Sequence, residues 1–171
     1  MTNLRKLIPA RTCLLALLIW PSLLAADANV EKTIQDLYSS SEAAIREART
    51  TDDIKRALST FAPEWVGNMP AGETLTLADL FKEGEAALAV PPEKRAAFFP
   101  KMDFVYIRET GWNVLVVYWK SRRSGTRVVG SLFRDTWVRT DDGWRRIKQE
   151  KFFPDRALIE DGKPQILPAF E

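Results

Sequence analysis

Apolar and polar positions repeat with two different periods along this chain, and the change falls near residue 101. From Met102 onward the pattern alternates and is rich in Val, Ile, Phe, Tyr and Trp, residue types that suit a pleated, half-buried surface. It predicts strands at Met102–Glu109, Asn113–Ser121, Thr126–Arg139 and Trp144–Phe153. The breaks Thr110–Trp112, Arg122–Gly125 and Thr140–Gly143 each contain a Gly able to take a positive φ, as short hairpin turns require. Before Met102 the period is helical. Val30, Ile34, Leu37, Ser41 or Ala44, Ile45 and Ala48 form one stripe of a helix over 29–49. Thr50 and Asp53 are spaced as a capping box for a second helix, Asp52–Thr60, which buries Ile54, Leu58 and Phe61 and is closed by Pro63. Thr76 and Asp79 open a third, whose buried face is Leu77, Leu80, Phe81, Ala87 and Leu88 and whose end is Pro91-Pro92. Trp65 and Val66 suit a short edge strand, and the proline-bearing tail 154–171 reads as an extended surface segment.

Helices followed by a meander make an α+β fold: three N-terminal helices packed on a curved antiparallel meander sheet, cone-shaped, with a cavity at the open end. At 171 residues and 46% hydrophobic content, one domain with a proper core is expected, here residues 29–153.

The N-terminus changes the charge picture. Arg5, Lys6 and Arg11 precede the apolar run Cys13–Leu24, and Ala25-Ala26-Asp27-Ala28 offers small residues to signal peptidase. Residues 1–28 are therefore read as a signal peptide cleaved after Ala26 or Ala28, placing the mature chain in the periplasm. The competing reading is a retained membrane anchor, for which the run is short. Cleavage removes the one cysteine, so no disulfide holds the mature domain. It also removes three of the 25 basic residues and one of the 23 acidic ones, leaving 22 of each. The argument for a nucleic-acid partner goes with them, and no membrane partner is expected after cleavage.

At this point the chain resembles the nuclear transport factor 2-like superfamily, specifically its SnoaL-like and ketosteroid isomerase-like bacterial members. The features that carry the resemblance are helix, helix, Phe61-Ala62-Pro63-Glu64-Trp65-Val66, helix, meander, and the strand–turn–strand Asp135–Ile147 with Trp137, an acidic-Gly turn and Trp144. It covers about residues 30–153. The fold hosts isomerases, cyclases, dehydratases, assembly domains and binders alike. Where the resemblance implies a general-base aspartate, this chain has Asn68; the implied first-helix tyrosine falls near Ala44, and an implied His-x-His pair corresponds to Lys148 and Glu150.

Hairpin pairing supplies the expected site. With Thr140–Gly143 as one loop, Asp135 sits opposite Lys148 and Phe133 opposite Glu150; with Arg122–Gly125 as the other, Phe133 also faces Val114. One face then carries Val129, Ser131, Phe133, Asp135, Trp137, Val116, Tyr118, Lys148 and Glu150, and the resemblance favours it as the cavity side. Asp135, Lys148 and Glu150 beside Tyr118 would form a charged trio able to supply a general base or acid. Equally, they form a cross-strand ion pair on a solvated face, and a bulge would reverse the faces and bring Arg134, Thr136 and Gln149 inward. Asp103 either reaches the mouth of the cone or caps the turn after Pro100. Trp65 and Trp112 either line that mouth and stack on a flat ligand or act as buried anchors. The meander carries 11 Lys or Arg against six Asp or Glu, a field that suits an anionic ligand or envelope surface, or simply polar residues alternating outward. With no His in the chain, no metal site is expected, and no cofactor motif is present.

These observations lead to an exported domain that binds a small, partly apolar molecule, or serves as a dimeric accessory module, without catalysis. Two alternatives stand beside it. One is a cofactor-free isomerase, cyclase or dehydratase with Asp135 or Glu150 as base and Tyr118 or Lys148 as stabiliser. The other is a partner-binding homodimer using the outer sheet face.

Overall fold

The structure, a computed structural model, describes residues 16–95, 99–160 and 163–164. A first helix, α1 (Ala16–Glu47), is followed by α2 (Thr51–Ala57) and a 3-10 turn (Leu58–Thr60). The chain then forms β1 (Phe61–Asn68), β2 (Thr74–Thr76), α3 (Leu77–Ala87) and the short α4 (Pro92–Arg95). The meander is β3 (Lys101–Thr110), β4 (Asn113–Ser124), β5 (Arg127–Thr140) and β6 (Gly143–Lys151), and β7 (Arg156–Glu160) and β8 (Lys163–Pro164) follow. The helix expected from residue 29 is part of one that begins at Ala16 and runs through the expected cleavage region. The basic residues before Cys13, and Cys13 itself, lie outside the described residues. Among the described residues no helix is long and apolar enough to cross a membrane.

Both capping boxes form. Thr50 and Thr76 each accept from the backbone N–H three residues on, and Asp53 and Asp79 return the bond to the cap. Hydrogen bonds from the Arg49 N–H, the Thr50 side chain and the Thr50 N–H hold the Asp53 carboxyl down at about 2. The end of α1 is capped by a residue that sequence pattern did not single out. Arg95, buried at the end of α4, donates to the carbonyls of Ile45, Arg46 and Ala48, at the end of α1 where carbonyls run short of helical donors. Pro91-Pro92 therefore does more than stop α3, which ends at Ala87: Pro92 opens the turn that delivers Arg95.

The eight strands among the described residues form one curved sheet ordered β2-β1-β6-β5-β4-β3, with β7 paired to β5 and β8 to β7. The segment around Trp65 is not an edge: β1 lies between β2 and β6 and runs parallel to β6. Pro63 does not close α2 but sits inside β1, where the β1–β6 register is interrupted between Phe61 and Val66 and a missing N–H is tolerated. The tail is more ordered than its composition suggested, because β7 continues along β5 at Val128–Gly130, beyond the reach of β6.

Two register findings decide which side chains face inward. The β4–β5 turn is shorter than expected, so Ser124 pairs with Arg127 and Phe133 faces Tyr118 rather than Val114. That slip is an even number of residues and leaves every face as expected. The β5–β6 ladder starts as expected, with Arg139 opposite Trp144 and Trp137 opposite Arg146, but a bulge at Ile147 then shifts it by one residue. Asp135 consequently faces Gln149, and Glu150 faces Arg134.

The inner face packs on α1: Ile34 and Tyr38 meet Val114, Val116, Tyr118, Phe133 and Trp137. A second cluster joins α1, α2 and α3 through Ala48, Ile54, Leu58 and Leu80. On the outer face, Val117 and Leu132 are covered by the chain's own Phe153. Gly130 lies where β4, β5 and β7 meet, and a Cβ there would be 2.5 Å from the Lys120 carbonyl oxygen. Gly130→Ala is thus expected to cost about 1–3 kcal/mol, because the clash is with backbone that cannot yield cheaply; urea unfolding measures it.

Candidate functional site

The open end of the cone encloses a cavity of ≈ 470 Å³ between the helices and the inner sheet face. Ile45, Ile54, Leu58, Leu80, Ala87 and Met102 make its walls apolar. Its polar lining comes from Ser41 and Glu42 on α1, Glu83 on α3, Tyr118 and Lys120 on β4, and Arg146 and Gln149 on β6. The bulge at Ile147 is what lets both Arg146 and Gln149 point inward from one strand.

Beneath this lining lies a buried polar network. Asp135 is fully buried, and its Oδ2 accepts from the Tyr38 hydroxyl at 2.5 Å and from the Tyr118 hydroxyl at 3.2 Å. Trp137 Nε1 donates to the Tyr38 oxygen at 3.1 Å, and Gln149 Nε2 donates to the Tyr118 oxygen at 2.9 Å. Arg146 Nε lies 3.3 Å from Oδ2 but away from the hydrogen-bond direction, so this ion pair is electrostatic rather than a directed bond. The Arg146 guanidinium is held over three rings, 4.4 Å from the centroids of Tyr38 and Phe61 and 4.9 Å from that of Trp137. Burial first, and the adjacent Asp135 charge second, push both tyrosine hydroxyls well above their ordinary value. They remain protonated donors and keep the carboxylate hydrogen-bonded.

Lys120 is open to the interior of the cavity yet surrounded by protein; that enclosure pushes its ammonium below the usual lysine range, and nearby Glu42 partly opposes the shift. The same enclosure pushes the Glu42 carboxyl up, opposed by Lys120 and Arg146.

The expected site residues divide accordingly. Tyr118 lines the cavity, as the alternation implied. Asp135 points inward but lies behind Tyr38 and Tyr118 and is not part of the lining. Phe133 is buried and stacks on the Tyr118 ring at 5.6 Å rather than facing the cavity. Lys148 and Glu150 are on the outer face, a correction to the expected trio that follows from the bulge. Glu150 there accepts from Arg134 at 2.8 Å and from Lys148 at 3.1 Å. Burial pushes the Glu150 carboxyl up, but these donors outweigh it and hold it below the usual range. The bulge also brings Gln149 inward, whereas Arg134 and Thr136 stay outside, since it displaces β6 and not β5. Trp65 is buried against Phe61 and Gly67 and is an anchor, not a mouth residue. Trp112 stands 87% exposed at the β3–β4 turn, away from the cavity. Asp103 is exposed and pairs with Lys101 at 2.6 Å, with its neighbours Met102 and Phe104 turned to the core instead. Asn68 pairs with Thr74 and Glu150 and does not reach the cavity. A first-helix tyrosine does reach the site, but from Tyr38 rather than from the neighbourhood of Ala44.

Pattern reading passed over Tyr38, Glu42, Lys120 and Arg146. The stripe Ile34, Leu37, Ser41 already marked the buried side of α1, and Lys120 shares strand parity with Tyr118, so those signals existed. Arg146 had one too, since the expected pairing with Trp137 placed it on the inner face. Among the described residues no group of three or more His, Cys, Asp or Glu is arranged to hold a metal ion.

This architecture, helices on a curved, unclosed, mostly antiparallel sheet, is the NTF2-like cone fold. Solved structures share it. One is a conserved protein from Planctomyces limnophilus, at 13% identity and a TM-score of 0.52, covering 72% of this chain and 94% of that one. A second is an NTF-2-like protein of unknown function from Pseudomonas aeruginosa, at 12% identity and a TM-score of 0.52, covering 72% and 96%. A third, an NTF2-like protein of unknown function from Pseudomonas putida, covers 82% of this chain and 98% of its own at 13% identity and a TM-score of 0.52. No family model matches the chain, and no curated protein does. At such identities the likeness extends to the fold alone.

Proposed function

We propose that this chain is an exported, SnoaL-like domain that binds a small, partly apolar molecule in its cone cavity and does not transform it. The observation that carries this reading is the combination of a ≈ 470 Å³ apolar-walled cavity with an Asp135 carboxylate sealed behind two tyrosines. A cavity of this size is within the range of small-molecule sites. A general base must come within hydrogen-bond reach of the proton it removes; of the two bases expected from sequence, Asp135 is screened from the cavity and Glu150 is on the other face of the sheet, which leaves Glu42 and Glu83 as the carboxylates of the lining. A homodimer is the second reading, favoured by Val105 and Tyr106, which are 54% and 42% exposed on the edge strand β3.

Native mass spectrometry of the protein purified from its own envelope fraction tests the reading. The expected result is a polypeptide mass corresponding to cleavage after Ala26 or Ala28, carrying a noncovalent small molecule. Ala87→Trp, which places an indole in the cavity, is expected to fold and to lose that adduct. Unliganded wild-type protein, or equal retention by Ala87→Trp, would count against cavity binding. A full-length mass would remove export, and the same spectra report any dimer.

A further inference from the structure

Resting on the cavity reading above, we propose that the ligand is an amphipathic monoanion, a carboxylate on an apolar body, whose carboxylate sits between Lys120 and Arg146. Both cations line the same cavity. Lys120 Nζ makes no ion pair within 4.0 Å of any carboxylate among the described residues, although Glu42 lies close enough to influence it. Arg146 approaches Asp135 with Nε 3.3 Å from Oδ2. Its other guanidinium nitrogens donate to no described residue, while aromatic rings hold the plane from several sides. A guanidinium oriented in this way by its surroundings is suited to binding a planar carboxylate without first losing side-chain freedom.

The carboxylates in the lining do not already fill this role. Glu83 is exposed at the rim, and Glu42 stands outside ion-pair distance of Lys120. A cationic ligand would meet two positive charges. A neutral one would leave Lys120 without a counter-ion within ion-pair distance. A carboxylate supplies the missing partner, and the apolar walls from Ile45, Ile54, Leu58 and Leu80 receive the remainder.

Titration calorimetry of the mature chain with octanoate, octanol and octylammonium separates head-group from body. Octanoate is expected to bind about 10–100-fold more tightly than octanol, the range for hydrogen bonds to charged groups. Lys120→Met should reduce octanoate affinity about tenfold and leave octanol unchanged; Glu42→Gln, which removes the competing charge, should strengthen octanoate binding. Circular dichroism of both variants confirms that each is folded. Equal affinity for octanoate and octanol overturns the anion seat while leaving cavity binding intact. Preference for octylammonium, or a Lys120→Met variant that keeps the full octanoate preference, also overturns it. Failure of all three probes to bind overturns the cavity reading and this inference with it.

Discussion

Asp135→Ala is expected to cost about 3–5 kcal/mol of folding stability, the range for removing one partner of a buried ion pair. The carboxylate has no solvent contact and is the shared acceptor for Tyr38 and Tyr118 as well as the counter-charge of Arg146. Its loss leaves a guanidinium buried without an anion and two hydroxyls without an acceptor, each of which must be desolvated uncompensated. For a chain of this size that corresponds to a fall in Tm of roughly 6–20 °C. Glu150→Ala is the internal control. Its partners Arg134 and Lys148 keep 39% and 40% of their side-chain surface exposed, so its loss should cost about 0–1 kcal/mol. Urea unfolding of both variants measures the difference. Similar costs for the two would show that the Asp135 network is not what holds α1 to the sheet.

Arg146→Met should be comparably destabilising, about 3–5 kcal/mol, for the complementary reason: it buries the Asp135 charge without its cation. It also removes the cation from three ring faces, two of them at 4.4 Å. A double-mutant cycle identifies the ion pair as the source. Asp135→Leu combined with Arg146→Met should cost less than the two single changes added together, with a coupling of about 2–3 kcal/mol. Additivity within about 0.5 kcal/mol would mean that the two residues act separately. The variants bear on ligand binding as well, because Arg146 is both part of the stabilising network and part of the cavity lining. In this protein the apparatus that stabilises the floor of the cone also presents its cation.

Local pattern was enough to place much of this molecule. Thr50 with Asp53 and Thr76 with Asp79 were legible as helix starts because a cap is satisfied within three residues of chain. The strands of the meander were legible because alternation and a turn glycine are also local. That Asp135 and Tyr118 share a face followed from parity, the resemblance chose that face as the inner one, and parity survived a mistaken turn length because the slip on β4–β5 was even.

What pattern could not place depended on partners remote in sequence. The Tyr38–Asp135 bond spans 97 residues, and neither residue carries a mark of the other. The bulge at Ile147 adds one residue to one strand without a glycine or proline to announce it, and it alone sent Lys148 and Glu150 outward and Gln149 inward. The parallel pairing of β1 with β6 and the return of β7 along β5 are likewise visible only in the assembled sheet. The sequence by itself therefore determined the main helices, the strands of the meander, the helix caps and which side chains of β4 and β5 share a face, since each rests on contacts a few residues apart. Tertiary structure decided which charges share the cavity, because an odd shift in one ladder reverses a strand's faces and only packing selects it.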